Sequence, residues 1–285
     1  MQVKTLFLAT LCSVAALTLL VTNSCTKNTA PPPVHDTTVV IKTDTLTVPP
    51  PPDPTVNLRK GLLLWLPFDG NMADSSGNGN PTSPLNGASL TYDEHGYANN
   101  AFGAAGTNQV ILVTNNGSIK FDTAYSISLN FMTLDSSSLH CYLSMVNWAD
   151  GYGPSFAIGT TVPGYSNFDV GVNDISAGCD NYGTTNPNKL NDTTVFKPLI
   201  QSWYNAIIVY HRGSVTTYIN GNQVSTKKGT GTLANLCSAS NIVVGGWWTP
   251  TPENINGKVD DIRIYNRVLT PHEIALLAKR FQDYP

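Results

Sequence analysis

The sequence predicts an all-β fold, a two-sheet antiparallel sandwich finished by a short C-terminal helix, and three observations predict it. First, short runs rich in β-branched and aromatic residues recur between clusters of Gly, Asn, Ser and Pro. Second, VTTYINGNQVS, from Val215, carries an Asn220-Gly221 pair that suits a two-residue hairpin turn with positive φ at both positions. Third, a single stretch reads as a helix. Thr270 is placed as its N-cap, Pro271 at its first position and Glu273 three residues after the cap, ahead of Ile274, Leu277 and Phe281 on one face.

The strand runs follow in order: GLLLWLPF from Gly61, NQVILVT from Asn108, YSISLNFMT from Tyr125, CYLSMVNW from Cys141 and SFAIGTT from Ser155. After them come FDVGV from Phe168, YNAIIVYH from Tyr204, the hairpin, NIVVGG from Asn241 and KVDDIRIY from Lys258. Together they cover residues 60–285, enough for one large β domain. Trp65, inside the first apolar run, is expected in the core.

The 59 residues before this body read differently. Residues 1–24 have Lys4 ahead of the apolar run LFLATLCSVAALTLLV and end in TNS before Cys25, which resembles a bacterial lipoprotein signal peptide with lipid on the Cys25 sulfur. Residues 25–59 are rich in Pro, Thr, Val and Asp and contain two proline runs, so they bury little surface and read as an extended spacer. The expected location is a bacterial cell envelope, lipid-anchored at the outer membrane, with the membrane contacted through the lipid alone. Periplasmic and surface-facing placements both stay open.

Without Lys4 the chain has 15 basic and 19 acidic residues, a balance that gives no electrostatic reason to bind nucleic acid. Cys141, Cys179 and Cys237 permit one disulfide and one remaining thiol, and the sequence does not choose among the three pairings.

Two adjacent acids, Asp260 and Asp261, head the last strand run of a chain only 12% charged. Strict alternation puts Asp260 on the face of Ile262 and Ile264, and Asp261 with Arg263 and Tyr265. A carboxylate on an apolar face needs a cation or hydrogen bonds.

Three blocks, GLLLWLPFDGNMADSSGNGN, WYNAIIVYHRGSVTTYINGNQV and GKVDDIRIYNRVLTPHEIALL, resemble the start, middle and end of a laminin G-like jelly roll of the concanavalin A-like lectin and glucanase superfamily. The resemblance implies a jelly-roll sandwich whose first and last long strands are neighbours. Residues 160–199 show no landmark of that family and are expected to form long rim loops. The resemblance also implies a structural calcium where the first strand's exit loop meets the last strand, with Asp69, Asp74, Asn78 and Asp260 as ligands. The alternative is that Asp69, Asp74 and Asn78 form Asx turns while Asp260 accepts hydrogen bonds from that loop's backbone.

Signals for catalysis are weak. Glycanases of this superfamily place acids at alternating positions on one strand, whereas Asp260 and Asp261 are adjacent, and Glu94, Glu253 and Glu273 have no such neighbour. There is no GxSxG, HExxH or phosphate loop, and the five histidines are scattered.

Aromatic residues offer the binding lead. Trp247 and Trp248 sit between glycines and a Pro-rich loop, and Trp148 and Tyr152 occupy another turn-rich segment. Exposed rings of this kind stack on sugar C–H faces while Asn and Asp oxygens take the hydroxyls. The expected function is therefore non-catalytic binding of a glycan or glycoconjugate, with protein-binding adhesion or scaffolding as the alternative. A glycan hydrolase is the remaining reading.

Overall fold

In the computed structural model the described residues are 56–105, 108–136, 139–147, 152–161, 167–173, 189–229, 231, 241–246 and 254–283. The signal segment, Cys25, most of the spacer, Trp148, Trp247, Trp248, Cys179, Cys237 and the Tyr152 side chain lie outside them.

The described residues form two antiparallel sheets. In chain order the strands are β1 (Leu62–Leu66), β2 (Thr82–Leu85), β3 (Ser89–Thr91), β4 (Ala101–Ala105), β5 (Val110–Val113), β6 (Ala124–Thr133), β7 (His140–Asn147) and β8 (Tyr152–Thr161). They continue with β9 (Asn167–Asn173), β10 (Lys189–Thr193), β11 (Trp203–His211), β12 (Ser214–Ile219), β13 (Asn222–Lys228), β14 (Asn241–Val244) and β15 (Asn256–Tyr265), followed by helix α1 (Pro271–Asp283). One sheet runs β13-β12-β11-β6-β15-β4-β3, with β1 also on β15, and the other runs β10-β9-β8-β7-β14-β5-β2. The fold is a jelly-roll sandwich.

β15 is central because it has three neighbours. β6 lies along one side, and on the other β4 pairs with residues 256–259 while β1 pairs with residues 262–265. The first and last long strands are thus adjacent, as the resemblance implies. Within residues 160–199, expected to be loops, β9 and β10 form a paired edge of the second sheet.

The sandwich core follows from alternation along the strands. On β6, Tyr125, Ile127, Leu129 and Phe131 point between the sheets and join Leu64, Leu66, Tyr142, Phe156, Ile208 and Ile264 in one cluster. The intervening Ser126, Ser128 and Asn130 are polar yet buried, so the outer face of this sheet is covered as well. The cover is partly α1. Leu62, Ile207, Val209, Tyr265 and Leu269 pack there with Ile274 and Leu277 of the helix, while Phe281 is half-buried. Ser126 fastens the approach to the helix, its hydroxyl donating to the Arg267 carbonyl (2.8 Å) and accepting from the Leu269 amide (3.1 Å).

Both local signals hold. Asn220 and Gly221 have φ of 49° and 79°, the positive pair a mirror-type hairpin turn requires. At the helix start the Glu273 amide donates to Thr270 Oγ1 (3.2 Å) and the Thr270 amide to Glu273 Oε2 (2.9 Å), a reciprocal capping box.

The end of the spacer is fastened to the body. Arg267 donates to the carbonyls of Lys60 (2.7 Å) and Asn57 (3.2 Å) while its guanidinium grips both carboxylate oxygens of Glu273 at 2.7 Å.

Candidate functional site

β15 does not alternate strictly, and this corrects the expected placement of its two acids. The pairing with β6 slips between Asp260 and Arg263, and Asp261 has φ of 41° in the left-handed region. This is a β-bulge, in which one extra residue turns the side-chain sequence by one place. Val259 and Ile262, three apart, therefore both reach the core, and Asp260 instead pairs with Asn130 on the outer face. Asp261 also turns outward, where it pairs with Arg263 Nε at 3.0 Å and accepts from the Trp65 indole at 2.7 Å. The two acids, expected to point oppositely, line one cleft.

Asp260 ends a buried polar row across three strands. Asn205 on β11 donates its amide to Asn130 Oδ1 (2.9 Å), and Asn130 donates in turn to Glu94 Oε1 (2.8 Å) in the β3–β4 loop. Asp260, 7% exposed, lies beside Glu94, and neither Asp260 Oδ1 nor Glu94 Oε2 has a donor among the described residues. Burial, followed by the charges of Glu94 and Asp261, pushes the Asp260 carboxyl up to about 10. Burial raises Glu94 as well. Two carboxylates cannot bond one another, so the pair holds together by sharing a proton.

The cleft above this pair, about 260 Å³, opens between the outer face of the sheet, the β3–β4 loop and the end of α1. Asp69, Asp93, Glu94, Asp260 and Asp261 give it oxygen, while Trp65 and Tyr97 supply rings. Burial and then the neighbouring Asp261 and Asp93 raise Asp69. Trp65 is half-buried here rather than in the sandwich core, with the Arg59 and Arg263 guanidinium carbons 4.8 and 4.6 Å from its ring centre.

A family model described as the concanavalin A-like lectin/glucanases superfamily matches residues 105–275. The chain belongs to this superfamily. No curated protein sequence matches it. Among solved structures it is similar to domain 4 of the GH43 extracellular arabinanase from Geobacillus stearothermophilus, in complex with arabinotriose, at 20% identity and a TM-score of 0.55. That match covers 76% of this chain and 98% of the domain. It is similar to the binding domain of botulinum neurotoxin DC in complex with rat synaptotagmin II at 18% identity and a TM-score of 0.59, covering 80% of this chain and 53% of the other. A third structure, of botulinum neurotoxin type C and described by the dependence of cell entry on two ganglioside molecules, is 18% identical with a TM-score of 0.57, covering 78% and 51%. The chain spans about half the length of the neurotoxin chains it matches.

The calcium ligands expected from the superfamily are placed apart in their chemistry. Asp74 accepts from the amides of Trp65, Ser76 and Asn80, the Ser76 hydroxyl and the Asn80 side chain, all within 3.1 Å. Asn78 donates to the carbonyls of Leu62 and Leu63. Only Asp69 and Asp260 of the four open on the cleft. The Asx-turn alternative describes Asp74 well, but Asp260 faces Glu94 rather than the loop's backbone. Among the described residues no three acidic, His or Cys side chains gather to hold a metal ion. The two orphan oxygens of Asp260 and Glu94 suit a hard cation, but they are fewer than the six to eight oxygens calcium takes.

Sequence reasoning missed Glu94 as a partner for Asp260. Its signal was the DEHGY run from Asp93, a titratable cluster in a chain poor in charge, but pairing it with Asp260 needs the bulge. The aromatic candidates follow described residues at two places: Trp247 comes after Gly246, whose carbonyl accepts from the Ser144 hydroxyl, and Trp148 comes after Asn147, the last residue of β7. His140 is a packing residue: the Asn256 amide donates to Nδ1 (3.3 Å) and Nε2 meets Asp135 Oδ1 at 3.1 Å. Cys141 is buried.

Proposed function

We propose that the chain is a non-catalytic binding module for a carbohydrate or glycoconjugate, held at a bacterial cell envelope by lipid on Cys25. The observation that carries this reading is the cleft beside Asp260. Tyr97, 47% exposed, stands among the carboxylates of Asp69 and Asp93 and the amides of Asn100 and Asn130. A sugar offers a C–H face to such a ring and hydroxyls to such oxygens. The arabinotriose of the similar arabinanase domain supports the same ligand class. Trp247 and Trp248 belong to the proposal as a second platform.

Hydrolysis is disfavoured on geometry. Retaining enzymes keep two carboxyls about 5 Å apart with the sugar between them. Glu94 and Asp260 instead lie side by side and share a proton. A calcium ion at this cleft would take its oxygens from Asp69 and Asp260, the two expected ligands that open on it, with Glu94 beside them.

The test is a glycan array with the mature chain, followed by titration of the best glycan onto Tyr97→Ala, Trp247→Ala and Trp248→Ala. Loss of a stacked ring should weaken binding roughly fivefold or more, equivalent to about 1 kcal/mol. If the three variants bind like wild type, or no glycan binds, the reading fails. The anchor is tested by detergent phase partitioning. Wild type should enter the detergent phase and Cys25→Ala the aqueous one, and identical partitioning removes the lipid.

A protein ligand is the second reading, and one patch favours it. Between β10 and β11, Val195 is 85% exposed, Leu199 68% and Ile200 47%. Capture of one protein partner that is lost on Val195→Ser with Leu199→Ser would support it over the glycan.

A further inference from the structure

On the far side of Trp65 and Arg263 lies a second cleft, about 520 Å³, between residues 56–59, β1 and α1. Trp65, Arg263 and Arg280 line both clefts, but the acids that crowd the first are missing from the second. Three of the chain's five arginines, Arg59, Arg263 and Arg280, line it together with His272, and no carboxylate does. The rest of its wall is apolar, from Leu58, Leu62, Leu276 and Trp65.

The guanidiniums are held at different depths. Arg263 is buried at 6% exposure, with Nε bound to Asp261 and its plane against Trp65. Arg59 is exposed and donates one NH to the Ser75 carbonyl (3.0 Å). Arg280, exposed in the last turn of α1, forms no ion pair among the described residues. Residues 57–60 cannot swing away freely, because Arg267 binds the carbonyls of Asn57 and Lys60. The cleft is therefore a preformed recess with a cationic rim and an apolar floor.

We propose that this recess binds the anionic substituent, carboxylate or sulfate, of an acidic saccharide. Planar guanidiniums match such oxyanions with paired hydrogen bonds, and the apolar wall takes the sugar's C–H face. The five carboxylates of the first cleft outnumber the two guanidiniums it shares with the recess and disfavour the same substituent, so an acidic ligand has one favourable orientation. The occupant rests on the carbohydrate reading above, whereas the site is a different one.

The experiment uses the mature chain and four probes: a glucuronate-containing tetrasaccharide, a neutral tetrasaccharide of the same linkage, inorganic sulfate, and vesicles containing anionic phospholipid. The expected result is at least tenfold tighter binding of the acidic than of the neutral saccharide, weakening as salt rises. Arg280→Ala should reduce affinity for the acidic probe roughly fivefold or more, as loss of a charge-assisted hydrogen bond does. Its melting should be unchanged, because Arg280 is exposed and Ala favours the helix. Arg280→Lys should recover part of the loss, and Arg59→Ala should act in the same direction. Equal affinity for the acidic and neutral probes, or indifference to Arg280→Ala and Arg59→Ala, overturns the proposal and leaves the carbohydrate reading standing. Arginine-dependent binding of vesicles but not of the acidic saccharide makes the ligand a lipid and overturns it too. If no saccharide binds, both readings fall, and sulfate binding sensitive to Arg280 would then mark an anion site of another kind.

Discussion

Asp74 and Asp260 flank the same pair of neighbouring strands and meet opposite fates. Asp74, in the loop after β1, accepts five hydrogen bonds from Trp65, Ser76 and Asn80. Partial burial pushes its pKa up, but the backbone amides of Ser76, Asn80 and Trp65 and the Ser76 hydroxyl pull harder, and the net shift is downward. Asp260, at the bulge of β15, has the Asp261 amide to set against its burial and the charges of Glu94 and Asp261, and its pKa rises to about 10. Burial alone does not decide the state of a carboxyl. The supply of N–H and O–H groups does.

The largest expected effect breaks the saturated side of this comparison. Asp74→Ala removes the acceptor for five donors, several of them sheltered from water, and should destabilise the fold by about 3 kcal/mol or more. Asp74→Asn keeps one oxygen and should cost less. Urea denaturation at pH 7 of both variants measures this, and a loss under 1 kcal/mol for Asp74→Ala would show that the loop does not depend on its acid.

The starved side should respond in the other direction. Asp260→Asn replaces a carboxyl that resists ionisation with an amide that can donate to Glu94, and at pH 8 in chelator it should raise stability by about 1 kcal/mol. The pH dependence follows from the raised pKa. Unfolded Asp260 loses its proton near the usual 3.8, whereas folded Asp260 keeps it until about 10. The folded state thus binds more protons between these values, and wild-type stability falls as pH rises through that window. The variant should have a flatter profile. Calcium sharpens the test, because an ion held by Asp260 would raise the wild-type melting temperature at pH 8 and leave Asp260→Asn unmoved. Equal slopes for the two proteins in chelator would sink the shared-proton description.

The comparison also explains how far the sequence could be read. The hairpin at Asn220-Gly221 and the helix start at Thr270 were legible because each is fixed by chemistry within four residues. The long strands were legible by alternation. β2, β3 and β4 were not, since TSPL, SLT and AFGAA are short and weakly apolar and owe their pairing to β5 and β15. Alternation misled at Asp260, because a bulge adds one residue without a mark in composition. Trp65 failed for the same kind of reason: it pairs with Arg263 on the outer face, and that face is defined by a helix 200 residues away in sequence. The site needed Glu94 and Asp260, 166 residues apart, which local pattern does not bring together.

The smallest change in pH dependence is expected at a third acid, which tests whether saturation also governs a buried acid gripped by a cation. Glu273 is gripped by Arg267 and accepts from the Thr270 amide. Burial raises its pKa, but hydrogen bonds from Arg267 and Thr270 outweigh this and hold it below the usual value. Its contribution is therefore present above the unfolded pKa of 4.5 and is lost as pH falls through the lowered folded value. Thr270→Ala removes the hydroxyl that accepts from the Glu273 amide, the smallest of the influences that lower Glu273, and should cost about 1 kcal/mol, the usual worth of an N-cap. Thr270→Ser should cost almost nothing. Because Arg267 and the Thr270 amide still hold Glu273 in Thr270→Ala, the acid limb of its stability profile should keep nearly the wild-type slope while the whole curve drops. A changed acid slope in Thr270→Ala would mean that the cap, rather than Arg267, supplies the hydrogen bonds that set Glu273, and that a saturated acid can be undone by losing one small partner.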